Sequence, residues 1–124
     1  ILDGAHNPDG ATALAKSLKI YTNHEDTAFI CACFKDKDYK KIAEITAPYA
    51  KTVFCITAPT ERGLDKKILC NAFKAHGVQA QCEDTLEDAI KKAYAFKNTV
   101  IFGTLSVLAD AKQTIERLQK NATL

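Results

Sequence analysis

The stretch 27-TAFICACF-34 is an almost unbroken apolar run. Continuous apolarity over the length of a strand means that both faces are covered, as in a parallel sheet lying between helix layers. The same alternation extends in both directions. Upstream, Ile1 to Asp3 read as the end of a strand. From Pro8 to about Lys19, Ala11, Leu14, Ala15 and Leu18 recur at helical spacing, with Asn7 as N-cap and Pro8 in the first helical position. Downstream, the loop KDKD leads into a short helix carrying Ile42, Ile45 and Tyr49 and disturbed at Pro48. The strand KTVFCIT and the loop APTERG follow. Asp65 opens a helix with Ile68, Leu69, Ala72 and Phe73 turned inward, and Gly77 ends it. VQAQCE is a weaker, alternating strand. Thr85 and Asp88 resemble a capping box, heading a helix with Leu86, Ala89, Ile90 and Ala93 on one face. NTVIFG is the last strand, and a closing helix begins at Thr104 or Ser106 and carries Leu108, Ala111, Ile115 and Leu118.

Five strand–helix units without linkers or repeats predict an α/β fold. Its sheet is Rossmann-like and mainly parallel, with helices on both faces. The 124 residues are 47% hydrophobic and 26% charged, which suits one domain spanning residues 1–124. A formal charge of +2 gives no reason to expect nucleic acid or a membrane surface as partner. No apolar run approaches the roughly 20 residues of a membrane span, and no signal peptide is visible. The expected location is the cytoplasm, where the sequon Asn121-Ala122-Thr123 carries no meaning. The five cysteines fit that location as small buried hydrophobes, and Cys31 and Cys33 should share one face of their strand. A zinc pair would need a second Cys/His pair at ligand spacing, and none is present. The chain has no methionine and opens at a strand's end, so it reads as a piece of a longer protein.

In open α/β sheets ligands gather beyond the carboxyl ends of the strands. Here those ends carry DGAHNP, KDKD, APTERG and GTLS. Asp3 would offer two unpaired carboxylate oxygens, suited to the hydroxyls of a ribose. His6, one residue before a helix cap, suits phosphate oxygens. Equally, Asn7-Pro8 starts a helix whatever Asp3 and His6 do, and both are then solvated turn residues. The guanidinium of Arg62 suits a carboxylate or phosphate, with Gly63 allowing close backbone approach, or it is a solvated arginine. Asp36, Lys37 and Asp38 suit a cation or a ligand amine, or form a solvated turn. Thr104 offers a hydroxyl to a ligand or to the helix as an N-cap. No phosphate-binding loop and no dinucleotide fingerprint is present, so this chain alone has no evident grip on a triphosphate.

LDGAHNPDGA resembles the glutamate-adding folate enzymes, folylpolyglutamate synthase and dihydrofolate synthase, whose pattern is a strand, D-[GV]-A-H-N-P and a helix. FKDKDYKKI is similar to the family's D-K-D segment, TAPTERGLD to its proline/arginine loop, and TVIFGTLSVLADA to its closing turn and helix. The resemblance implies the C-terminal domain of a Mur-ligase-like enzyme. In such enzymes ATP phosphorylates a carboxylate, and an amino acid's amine displaces the phosphate to form an amide. The implied ligands are ATP, L-glutamate and a folate substrate. The phosphate loop and the Mg2+ ligands would lie in a preceding ATPase domain, so the C-terminal domain alone would be inactive and binds no metal itself. By the same resemblance, Asp3 binds the ATP ribose and His6 faces the reaction centre. Arg62 falls where related ligases hold substrate carboxylate, and Thr104 stands where the family usually has serine. Two other functions fit the same pattern: a Mur-type ligase acting on a peptidoglycan precursor, and a non-catalytic nucleotide- or protein-binding module.

Overall fold

In the computed structural model, which describes residues 1–122, the elements alternate as the sequence pattern predicts. They are α1 (Pro8–Tyr21), β1 (Thr27–Cys31), α2 (Tyr39–Thr46), β2 (Thr52–Cys55), α3 (Lys66–Lys74), β3 (Gln79–Cys82), α4 (Leu86–Ala93), β4 (Asn98–Phe102) and α5 (Leu105–Ala122). The four strands form one sheet in the order β3-β2-β1-β4 with every neighbouring pair parallel. The expected opening strand is reduced to a single parallel bridge, Leu2 to Ile101, beside β4. Residues 1–5 nevertheless follow β4: Asp3 N–H donates to Ile101 O at 3.0 Å and Gly103 N–H to Ala5 O at 2.9 Å.

Two apolar layers sandwich the sheet. Phe29, Cys31, Val53, Val100 and Phe102 face α1, α2 and α3, while Ala28, Ile30, Phe54 and Ile101 face α4 and α5. Each fully buried large side chain contributes about 1.5–3 kcal/mol relative to exposure. All five residues of β1 are buried, which accounts for its unbroken apolar sequence. The edge strand β3 alternates instead, Gln79 and Gln81 exposed and Ala80 and Cys82 partly buried.

The helix ends follow local chemistry. Asn7, Asp38, Asp65 and Thr85 each accept a backbone N–H from the first turn of the helix they cap. Thr104, and not Ser106, caps α5: its Oγ1 accepts Val107 N–H at 3.0 Å. After α2, Ala47–Tyr49 tighten into a 3-10 turn at Pro48. One expectation fails. Ile68 is 47% exposed, because the buried stripe of α3 is Leu69, Cys70 and Phe73. The pattern placed a stripe on this helix but not its rotation about the axis.

The cysteines are free thiols, as expected of small core residues. Cys31 and Cys33 do share a face, with their sulfurs 3.9 Å apart. Burial pushes the Cys31 and Cys55 thiols well up, so both stay protonated and inert. Among the described residues no group of three or more His, Cys, Asp or Glu is placed to hold a metal ion, and no helix is long and apolar enough to cross a membrane. Thr123 of the sequon lies outside the described residues.

Candidate functional site

At the carboxyl ends of the strands, the turn before α1 is built largely by its own side chains. Asp3 Oδ1 accepts the Ala5 N–H at 2.9 Å, and Asn7 Oδ1 accepts the Gly10 N–H at 2.7 Å. His6 Nδ1 lies 2.8 Å from Gly4 O. A carbonyl only accepts, so Nδ1 carries the proton, and in the neutral ring Nε2 keeps its lone pair.

His6 lines a cavity of about 200 Å³ shared with Phe34 and Lys37 after β1, Arg62 after β2, and the turn Thr104–Ser106 after β4. Four separate loops thus converge on one space. Of the residues to which the family resemblance assigns a place in the site, His6, Arg62 and Thr104 meet there. Asp3 does not. It lines a different cavity of about 300 Å³ against Leu14, Ser17 and Tyr21 of α1. Nor are both its carboxylate oxygens unpaired, because one is committed to the Ala5 N–H.

Arg62 is no freely solvated arginine. Its Nη2 donates to both oxygens of Asp36, at 3.2 and 3.0 Å, and its Cζ stacks 4.3 Å above the Phe34 ring. Partial desolvation pushes the Asp36 carboxyl up, but its own backbone N–H, the Arg62 hydrogen bond and the Arg62 and Lys37 charges outweigh that. The carboxyl is held below its ordinary range. Asp38 is spent as the cap of α2, accepting Lys41 N–H at 3.2 Å. Lys37 is the member of KDKD that reaches the cavity. Sequence marked the loop but could not choose among its charges.

Thr104 is 2% exposed, and its hydroxyl lies 3.0 Å from the Ser106 hydroxyl as well as capping α5. Ser106, read from sequence only as an alternative helix start, therefore joins the cavity wall. Gly103 sets the whole turn. Its φ is +117°, and a Cβ there would lie 1.9 Å from Ala32 O, so β4's exit packs directly on β1's exit. The first turn of α5 lines the same space, and its positive dipole end together with Lys37 and Arg62 favours an anion. A larger cavity, about 450 Å³, runs between the outer faces of α2 and α3 past Ile68 and Ala72, and holds none of these loop residues.

The family model of the Mur ligase glutamate ligase domain matches residues 1–102. Among curated relatives, folylpolyglutamate synthase of Lacticaseibacillus casei is 30% identical over 123 residues, covering 93% of this chain and 26% of that protein. Dihydrofolate synthase/folylpolyglutamate synthase of Buchnera aphidicola is 26% identical over 126 residues, covering 100% of this chain and 30% of that protein. Crystal structures of Mycobacterium tuberculosis folylpolyglutamate synthase complexed with ADP and AMPPCP give a TM-score of 0.78 at 28% identity. That match covers 91% of this chain and 28% of theirs. The chain thus spans less than a third of the length of these relatives.

Proposed function

Because the chain belongs to the glutamate ligase domain family of the Mur ligases, we propose that it is the C-terminal domain of an ATP-dependent ligase adding L-glutamate to a folate. The observation that carries this reading is the convergence of His6, Lys37, Arg62 and the N-terminus of α5 on one small cavity at the strands' carboxyl ends. That space suits an acidic amino acid. The relatives described above are folate–glutamate enzymes, and one binds ADP and AMPPCP.

The reaction divides into two steps. A folate carboxylate oxygen attacks the terminal phosphorus of ATP, releasing ADP and leaving an acyl phosphate. The glutamate nitrogen then attacks the acyl carbon, phosphate departs, and the nitrogen loses a proton. Such chemistry needs positioning and charge stabilisation more than a protein nucleophile. His6 Nε2, its ring fixed through the Gly4 carbonyl, is the group here suited to take that proton. Arg62 and Lys37 hold substrate carboxylate, and Thr104 keeps the wall of the site in shape. The free oxygen of Asp3 can accept a ribose hydroxyl, separate from the His6 cavity. The residues described make no magnesium site. In this reading Mg2+ and the phosphate loop belong to a preceding ATPase domain that closes over this one in the cytoplasm, excluding water from the acyl phosphate.

The test is the full-length protein assayed with ATP, L-glutamate and either dihydropteroate or tetrahydrofolate. Glutamate-dependent ADP release with a lengthened folate product is expected. Activity only with a UDP-muramyl peptide acceptor would move the reading to cell-wall synthesis. ATP binding without any ligation would leave a non-catalytic module.

A further inference from the structure

The Arg62 guanidinium is oriented twice over. Both Asp36 oxygens take hydrogen bonds from Nη2, and its Cζ lies over the Phe34 ring. Both bonds leave from one nitrogen, so Nε and Nη1 keep their N–H groups for a ligand anion. The loops carrying the pair are joined independently of it. Lys35 N–H donates to Arg62 O at 2.7 Å, Leu64 N–H donates to Cys33 O at 2.9 Å, and Phe34 bridges Gly63 in antiparallel fashion. Gly63 has no room for a Cβ, which would lie 2.2 Å from Ala58 O, so the backbone presenting Arg62 is fixed by packing. Removing the Asp36 carboxylate therefore frees the side chain of Arg62 without freeing its backbone.

We propose that Asp36 is a positioning residue that acts on the substrate anion only through Arg62, by holding the guanidinium over Phe34 at the wall of the cavity that Arg62 shares with His6. An arginine otherwise free in solvent must surrender its rotamers when it grips a carboxylate, and a partner already holding it lowers that cost of binding. The charges agree with this role. Asp36 cancels one of the two cations at this wall and leaves Lys37 in excess, so an anion is still attracted. Both partners are more than half exposed, so the pair adds little to the stability of the fold and its effect should be read in ligand binding.

This inference rests on the ligase reading, and the experiment separates the two. In the full-length protein, Asp36→Asn and Asp36→Ala are each made alone and with Arg62→Ala, and kcat and KM are measured for glutamate and for ATP. With Arg62 present, KM for glutamate should rise about five-fold, the size of a surface ion pair, while KM for ATP hardly moves. With Arg62 absent, losing Asp36 should add nothing further. Asp36→Glu should recover most of the loss. Asp36→Asn is nearly isosteric, and a melting temperature only slightly below wild type would show that the fold survives. Equal effects in both backgrounds, or no effect on KM for glutamate, would overturn the proposal while leaving an active ligase. A wild-type protein that ligates no glutamate would overturn both.

Discussion

On one wall of the His6 cavity, Thr104 is 2% exposed and Gly103 lies against the backbone of Ala32. On another wall, the side chains of Arg62 and of its partner Asp36 are 59% and 58% exposed. The first wall is held by packing and by backbone N–H groups that must be satisfied. The second rests on a solvent-facing ion pair and a ring stack. One cavity thus combines a stiff frame with a solvent-facing, adjustable wall. A wall made of backbone cannot move without unfolding the ends of β1 and β4, whereas a wall made of long side chains can adapt to a ligand.

The sharpest way to break this contrast is Gly103→Ala. A Cβ placed 1.9 Å from Ala32 O, at a φ of +117°, forces either the turn or β1 to move. The expected loss is about 3 kcal/mol, combining a strained left-handed residue with backbone overpacking. Urea denaturation measures it, and a loss below 1 kcal/mol would show that this wall is more pliable than its contacts imply.

His6 separates the chemistry from the frame. Its side-chain hydrogen bond goes to Gly4 within its own turn, so little of the fold depends on it. Under the ligase reading, His6→Ala should lower kcat about 100-fold, the scale of a positioned acid–base group. The denaturation midpoint should stay close to wild type. If kcat were normal, the imidazole would not take part in the reaction.

Thr104 brings the comparison to a single hydroxyl. Thr104→Val keeps the shape but leaves Val107 N–H without its cap, at a cost of about 1 kcal/mol. Thr104→Ser should sit near wild type, because the cap survives. Thermal denaturation of the two variants side by side would distinguish a capping role from one that depends on the threonine methyl.

The two walls also differ in how far the sequence revealed them. The caps Asn7, Asp65 and Thr85 were legible because each bonds within three residues of itself. The turn at Gly103-Thr104 was legible for the same reason, as a glycine followed by a hydroxyl at a helix start. The sheet was legible from the apolar run of β1, since burial on both faces leaves no polar position. Asp36 and Arg62 lie 26 residues apart, and no local pattern distinguishes their contact from two solvated charges. Asp3 was readable as a residue at a strand's end, but the Ala5 N–H that claims one oxygen depends on how the turn closes. Ile68 was misplaced because helical periodicity cannot say how far a helix at the sheet's edge is rotated.

The smallest effect bears most directly on the exposed wall. A carboxyl held below its ordinary range favours the folded state at every pH above that range. The contribution then disappears as pH falls through the depressed value. For Asp36 the loss should therefore lie on the acid side of the usual carboxylate range, and stability near neutral pH should be flat with respect to it. Both partners are solvent-facing, so the effect should be slight and should shrink further in high salt. Denaturation midpoints of wild type and Asp36→Asn, followed from neutral pH into acid at low and high salt, test this. The two proteins should converge in acid, and the gap between them at neutral pH should narrow with salt. A gap that salt leaves untouched would mean that Asp36 is held as firmly as Thr104, and the two walls would then be one rigid frame.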